Sequence, residues 1–347
     1  MATTIPKTMR AVVLKEDGYS PDALPASQVR AVDRYLELAE VAVPEPGPDQ
    51  VLIKVTAAMV NPSDLAFIQG GYGQPRVKGA PAGFEGVGEV VATKGLYAKT
   101  MKGNRVSFAV SLNGSGAWAE YAVTDAMSAI SLRKDVRDED GAALIVNPLT
   151  AAAMVEMVPK AGAFVVSGAA SQLGKLMAGL ASDNGKRMIA LVRRDGPAEA
   201  LKALGASHVL NETSESFAAD LKAVLKAEKP TVFLDCIAGS VSSRVFAAMG
   251  KDSTWVIYGK MTPEPPEILE PGQLIFMRKK IEGFWLVSWM KNSSLMEKMS
   301  AIKQVQARFA EGKWKTDIKA RVKLEDLVAE LPKELDKTDG KVMITIS

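Results

Sequence analysis

The run Val165-Val-Ser-Gly-Ala-Ala-Ser-Gln-Leu-Gly174 has residue types and spacing suited to holding a phosphate. An apolar stretch, Ala163-Phe-Val-Val-Ser167, leads into it, and Lys175 to Asn184 follows with a helical composition. A strand, a glycine turn and a helix in that order let backbone N–H groups and the positive end of a helix dipole face a pyrophosphate. Gly168 suits the tight turn and Gly174 suits close packing of helix on strand, while Gln172 fills a position often held by glycine. The plain alternative is a structural turn; the strand before and the helix after favour dinucleotide binding. The next strand candidate, Arg187-Met-Ile-Ala-Leu-Val192, ends in Arg193-Arg194-Asp195. An acidic residue there would bind a ribose 2′-OH, whereas arginine forks grip a 2′-phosphate. Two arginines favour NADPH over NADH, against the alternative of a solvated basic strand end with Asp195 pairing an arginine.

Scarcity excludes as much as the motif suggests. The chain has one histidine, His208, and one cysteine, Cys236. A zinc site built on Cys and His needs three or four ligands, so none is expected. No disulfide can form within the chain, and a Ser-His-Asp or Cys-His mechanism would have to use His208. The 347 residues, 47% hydrophobic and 24% charged, suffice for two ordinary globular domains. Forty-three Lys+Arg against 40 Asp+Glu leave a net charge of +3, which points to neither nucleic acid nor an acidic membrane as partner. The N-terminal segment Met1-Ala-Thr-Thr-Ile-Pro-Lys7 lacks the features of a secretory signal, and no stretch reaches the ~18 apolar residues of a membrane helix. A cytoplasmic location is expected; the mature form of a mitochondrial matrix enzyme would read the same.

The elements around the motif change character along the chain. Met9–Leu14, Val51–Thr56, Val87–Val91 and Arg105–Val110 are short β-branched runs between turn residues, the pattern of a small barrel-like β domain. From about Asp138 the pattern alternates. A helix is expected over Ala142–Val158, interrupted early by Pro148, then strands at 163–167, 187–192, 208–210, 232–234 and 255–258 with helices at 175–184, 198–204 and 216–226. Strands alternating with helices of this length predict a doubly wound parallel sheet. An amphipathic segment, Leu295 to Glu311, precedes Lys341-Val-Met-Ile-Thr-Ile346, a strand that most economically returns to the β domain.

The order of a β domain and a Rossmann domain, with Gly83-Phe-Glu-Gly-Val-Gly88 ahead of the Rossmann part, resembles the zinc-free branch of the medium-chain dehydrogenase/reductase superfamily. Four blocks resemble the mitochondrial-type trans-2-enoyl-thioester reductases: Asn61-Pro-Ser-Asp-Leu-Ala-Phe-Ile-Gln-Gly-Gly-Tyr72, Val146-Asn-Pro-Leu-Thr-Ala151, Tyr258-Gly-Lys-Met261, and Leu274-Ile-Phe with Gly283-Phe-Trp-Leu286. The resemblance spans nearly the whole chain. It implies an α/β fold with a GroES-like β-barrel-type domain over 1–147 and 290–347 and a Rossmann NADPH-binding domain over 148–289. The family's catalytic tyrosine falls on Tyr72. Its cofactor contacts fall on Asn147; on Ala170, Ser171, Gln172 and Leu173; and on Arg193, Arg194 and Asp195. They continue at Tyr258, Gly259, Lys260 and Met261, at Phe284, Trp285 and Leu286, and at Lys341. Gln172 and Lys260 depart from the pattern, replacing family glycines.

The implied reaction is NADPH-dependent reduction of an enoyl thioester, of CoA or acyl carrier protein, with hydride to the β-carbon and a proton to the α-carbon. Such chemistry needs no metal if donors meet the developing enolate oxygen. An ordinary tyrosine, of pKa ~10, enters the reaction protonated at neutral pH, and Tyr72 is placed to donate; its bland alternative is a loop aromatic with its hydroxyl in water. An NADPH quinone or enone reductase, which needs no proton-donating tyrosine, and a non-catalytic NADPH-binding protein are the competing functions. His208 reads as structural or surface, and Cys236 as a small buried hydrophobe beside the cofactor. Phe284 and Trp285 fit the core or an acyl pocket equally well. Arg278-Lys-Lys280 reads as a solvated face rather than a site for substrate phosphates or an acidic carrier. The resemblance also implies a homodimer paired through edge strands, with its contact in 274–290.

Overall fold

The computed structural model describes residues 4–110, 115–337 and 340–347. The first three residues of the N-terminal segment Met1 to Lys7 lie outside the described residues. The chain forms two compact units, 1–146 with 305–347, and 147–304. The family resemblance places the return to the β domain at 289/290. The units part at Gln304/Val305 instead, within the helix Leu295–Ala310, whose buried residues Val305, Gln306, Arg308 and Phe309 all follow that point.

The unit 147–304 holds six parallel strands, most of them built from apolar runs. Their order across the sheet is His208–Asn211, Arg187–Val192, Ala163–Val166, Val232–Asp235, Thr254–Ile257 and Lys280–Gly283. This is the doubly wound Rossmann order. The central strands are buried on both faces, which is why they read as continuous apolar runs rather than alternating ones. Helices Gln172–Asp183, Ala198–Leu204, Phe217–Glu228 and Ser240–Ala248 make the crossovers. Phe217, Leu221, Leu225, Val245 and Phe246 pack with Val165, Phe233 and Trp255 of the sheet in one core. The last strand, Lys280–Gly283, is exposed along its whole length and forms one edge. Its composition, Lys-Ile-Glu-Gly, carries no strand signal; pairing with Thr254–Ile257 alone makes it a strand.

In the other unit a seven-stranded sheet runs Ile318–Lys323, Lys341–Thr345, Gln50–Val60, Glu85–Lys94, Arg105–Ala109 and Ala129–Ser131, with Tyr121–Asp125 also paired to Gln50–Val60. Thr8–Leu14 and Leu36–Ala42 form a separate antiparallel pair. The C-terminal strand does return here: Val342 to Thr345 pair antiparallel with Val60 to Ala57. Pro148 does not interrupt its helix, which runs Val146–Glu156. It sits in the first turn, where the missing N–H has no intrahelical partner to lose.

Candidate active site

The phosphate turn is built as its residues dictate. Gly168 lies in the left-handed region at φ +58°, and a Cβ on Gly174 would stand 2.2 Å from Ala169 O. Ser171 caps the helix Gln172–Asp183, its Oγ accepting from the Gly174 N–H at 3.2 Å. Gln172 and Lys260 both have negative φ, so the backbone conformation demands glycine at neither position.

The residues singled out in this unit gather by topology. Ala170 to Leu173 follow the first strand, Arg193 to Asp195 the second, Tyr258 to Met261 the fifth and Phe284 to Leu286 the sixth. All lie beyond the carboxyl ends of parallel strands, where open α/β sheets bind their ligands. Arg193, Arg194, Asp195 and Lys260 are exposed; Phe284, Trp285 and Leu286 are half-buried. Asp195 takes the Asn211 side-chain amide at 3.0 Å. Asn147 follows no strand and lies in the first turn of the helix Val146–Glu156.

Asp235, fully buried, organises the floor of this edge. It accepts from Ser167 Oγ at 2.5 Å, Trp255 Nε1 at 2.9 Å, and the N–H groups of Ile237 at 3.0 Å and Ala238 at 3.2 Å. Cys236 Sγ lies 3.6 Å from Ser167 O, and burial pushes its thiol up to about 11. It is held as a thiol, half-buried and bonded to Ser167 rather than packed away as the buried hydrophobe expected. Burial also raises the hydroxyl of Tyr258, beside it, well above the ordinary tyrosine value.

The other unit holds Tyr72 and Lys341. Tyr72 is half-buried in the loop after the helix Pro62–Ile68. Its ring meets Phe84 at 5.1 Å between centroids, and Phe84 meets Phe67 at 5.0 Å. Such a contact fixes the plane of the Tyr72 ring. Lys341, the expected cofactor contact, is buried and donates to Asn61 Oδ1. Asn61 Nδ2 donates to Glu85 Oε1 at 2.9 Å, and Glu85 Oε2 accepts from the N–H groups of Ile145 at 3.1 Å and Val146 at 2.8 Å. Asp64 accepts from Asn61 N–H at 2.7 Å and from Phe84 N–H at 2.8 Å.

Asn61, Asp64 and Glu85 lie within motifs that carry the family resemblance, yet sequence reasoning assigns them no role. Only Asp64 has a local signal: Asn61-Pro62-Ser-Asp64 is a helix start, with Pro at the first position and an acid at the third. The cluster contains two buried carboxyls and one ammonium. Burial pushes Asp64 up to about 7, helped by Glu85 and opposed by the Asn61 and Phe84 N–H donors and the Lys341 ammonium. Burial also raises Glu85 and lowers Lys341.

A carboxyl raised on folding binds its proton more tightly in the native state. Its stabilising contribution is complete below about 3.8 and is lost as pH rises towards 7. Melting temperatures of wild type and Asp64→Asn at pH 4.5 and 7.5 should therefore differ in slope. The wild type is expected to lose stability over that interval relative to the variant; parallel curves would contradict the raised carboxyl.

Arg278-Lys-Lys280 is not one solvated face. Arg278 pairs with Asp252 at the surface, with Nε to Oδ1 at 2.7 Å. Lys279 is only 3% exposed, its Nζ donating to Phe246 O at 2.7 Å and Gln273 Oε1 at 2.6 Å. It caps the end of the helix Ser240–Ala248, a carbonyl-rich site that attracts a cation. His208 opens a strand and contacts Glu228 at 2.8 Å, a structural place as expected. Among the described residues no group of three or more His, Cys, Asp or Glu side chains is arranged to hold a metal ion, and no helix is long and apolar enough to cross a membrane.

Two family models match the chain that carries these residues: the alcohol dehydrogenase GroES-like domain over residues 47–134 and the zinc-binding dehydrogenase over residues 172–301. The chain is also 32% identical over 349 residues to the mitochondrial enoyl-acyl-carrier-protein reductase of Arabidopsis thaliana, a match spanning 98% of this chain and 88% of that protein. The chain belongs to the medium-chain dehydrogenase/reductase family. Among solved members of the family, a candidate NADPH:quinone reductase from Mesorhizobium loti is 52% identical, with a TM-score of 0.93 over 99% of this chain and 100% of that one. The Etr1p/NADP/crotonyl-CoA complex is 24% identical, with a TM-score of 0.79 over 97% of this chain and 99% of that one, and shares the medium-chain dehydrogenase/reductase fold.

Proposed function

We propose that this member of the family reduces the 2,3 double bond of trans-2-enoyl thioesters, of CoA or acyl carrier protein, at the expense of NADPH. The observation that carries the reading is Tyr72: a phenol on a glycine loop, its ring packed on Phe84, which in turn packs on Phe67. The enoyl reductase relatives at about one-third identity support it. When bound, NADPH supplies the hydride to the β-carbon. The capped turn at 170–173, too tight at Gly174 for any Cβ, fits a pyrophosphate, and Arg193 and Arg194, exposed at a strand end, fit a 2′-phosphate. Asn147, Asp195, Tyr258 to Met261, Phe284 to Leu286 and Lys341 would complete its contacts. The Tyr72 hydroxyl donates towards the thioester oxygen as the enolate charge develops there, and the α-carbon takes its proton from that hydroxyl, which water then reprotonates.

A second reading, reduction of quinones by NADPH, is favoured by the Mesorhizobium loti relative. A quinone is reduced at oxygen and takes its protons from water, so it leaves Tyr72 without a task. NADPH oxidation measured with crotonyl-CoA and longer enoyl-CoA substrates against 1,4-benzoquinone separates the two. Turnover of the enoyl series with little on benzoquinone supports the reductase proposed here. The reverse preference overturns it, and NADPH binding without turnover of any acceptor would assign a non-catalytic role.

The chain is proposed to work as a homodimer. The edge strand Lys280–Gly283 leaves one row of backbone groups unpaired within the sheet, and the apolar side chains of Ile275, Phe276 and Val287 stand exposed close to it in sequence. Light scattering at micromolar concentration should report twice the 37.0 kDa chain mass. Ile281→Lys, placed on that edge, should shift the particle towards one chain; a wild type that stays monomeric removes the proposal.

A further inference from the structure

The segment that carries Tyr72 leaves the helix Pro62–Ile68 as Gln69-Gly-Gly-Tyr-Gly-Gln-Pro75. Gly70 and Gly71 N–H still donate to Phe67 O at 2.8 Å and Ala66 O at 2.9 Å, Gly70 O accepts from Ser20 N–H at 3.0 Å, and pairing resumes beyond Tyr72 at Arg76. Gly18 N–H donates to Arg76 O at 3.0 Å, and Arg76 N–H to Gly18 O at 3.1 Å. Three glycines around one phenol leave the backbone with wide freedom, so the loop's own stiffness cannot hold the hydroxyl in place.

Arg76, which closes the loop, is 4% exposed, and its guanidinium makes four hydrogen bonds, one to the start of the loop and three to the neighbouring 16–18 segment. Nη1 donates to Ile68 O at 3.2 Å, the last residue of the helix before the loop, and to Glu16 Oε2 at 2.7 Å. Nε donates to Gly18 O at 3.0 Å and Nη2 to Asp17 O at 3.2 Å. One rigid fork therefore joins the start of the loop, its end and the neighbouring 16–18 segment, which a lysine point charge could not do. The sequence makes room for it. Gly70 has φ +83°, and a Cβ there would lie 2.8 Å from Arg76 Cζ and 2.7 Å from Ser20 N. At the loop's first residue Gln69 adds a second tie, accepting from Leu24 N–H at 3.1 Å and donating to Leu65 O at 2.9 Å.

We infer that Arg76 is a positioning residue for the reduction proposed above: its buried guanidinium locks both ends of the glycine loop and so sets where the Tyr72 hydroxyl stands. The inference rests on the role proposed for Tyr72. A misplacement of about 1 Å at a reacting group is enough to lower a rate by orders of magnitude.

The test uses the full chain as wild type, Arg76→Lys, Tyr72→Phe and the double variant. Turnover of crotonyl-CoA, the NADPH Kd from nicotinamide fluorescence and amide exchange of the peptide spanning 69–77 are measured on each. Arg76→Lys should lower kcat roughly ten-fold, leave the NADPH Kd within about two-fold and speed exchange in 69–77. In the Tyr72→Phe background the same change should cost less than about two-fold, because its target is already gone. Equal losses in both backgrounds, or unchanged exchange, overturn the positioning role alone. Tyr72→Phe at the wild-type rate overturns both this inference and the reading beneath it. If the wild type does not turn over crotonyl-CoA, the enoyl reading fails while the exchange measurement still decides whether Arg76 holds the loop. Should Arg76→Lys not fold, Glu16→Gln, which weakens one half-exposed anchor, is read the same way.

Discussion

Replacing Tyr72 with Phe should lower kcat for enoyl-CoA reduction on the order of 10²–10³-fold while leaving NADPH affinity nearly unchanged. The substitution removes one oxygen from a ring that packs on Phe84, and the ring contact itself survives. What is lost is a donor aimed at charge that develops only in the transition state, so kcat and kcat/KM should fall together. Steady-state kinetics with crotonyl-CoA, alongside fluorescence titration of NADPH, check both halves of the expectation. A drop confined to KM would make Tyr72 a binding group, and no drop would return it to an ordinary loop aromatic.

The second large effect is expected at the strand end. Arg193→Ala combined with Arg194→Ala should weaken NADPH binding by about 100-fold and NADH binding by less than about three-fold. Both side chains are exposed where the second parallel strand ends. NADH lacks the phosphate and so has little to lose. Calorimetric Kd values for the two cofactors measure the ratio directly, and the effect should shrink as salt is raised. Equal losses for the two cofactors would place the arginines elsewhere than on the 2′-phosphate.

Much of the Rossmann half is legible in the sequence alone. Its strands at 163–166, 187–192 and 208–211 and the helix at 198–204 fall where apolar runs and turn residues put them, and the capped turn at Ser171 is built from adjacent residues. These are short-range properties, and the side-chain period of an element is written along a few consecutive residues. Short, polar or tertiary-made elements escape that reading. Lys280–Gly283 is a strand because a neighbour pairs with it, and Leu327–Leu335 is helical despite Pro332. Lys279, inside a run whose charge suggests a solvated face, is buried because Phe246 O, at the end of a helix more than thirty residues earlier, needs a donor.

By itself, then, the sequence determined the parallel sheet, its glycine turn and its arginine strand end. Its single histidine and single cysteine also ruled out a Cys/His zinc centre. Only the tertiary structure decided that Lys341 reaches Asn61 across 280 residues, that Asn61 hands on to Glu85, and that Arg76 closes the loop of Tyr72 through Ile68 and Gly18. Local period selects helix or strand. The partner of a buried charge, however, is set by which distant groups the fold brings within about 3 Å, and no spacing along the chain records that.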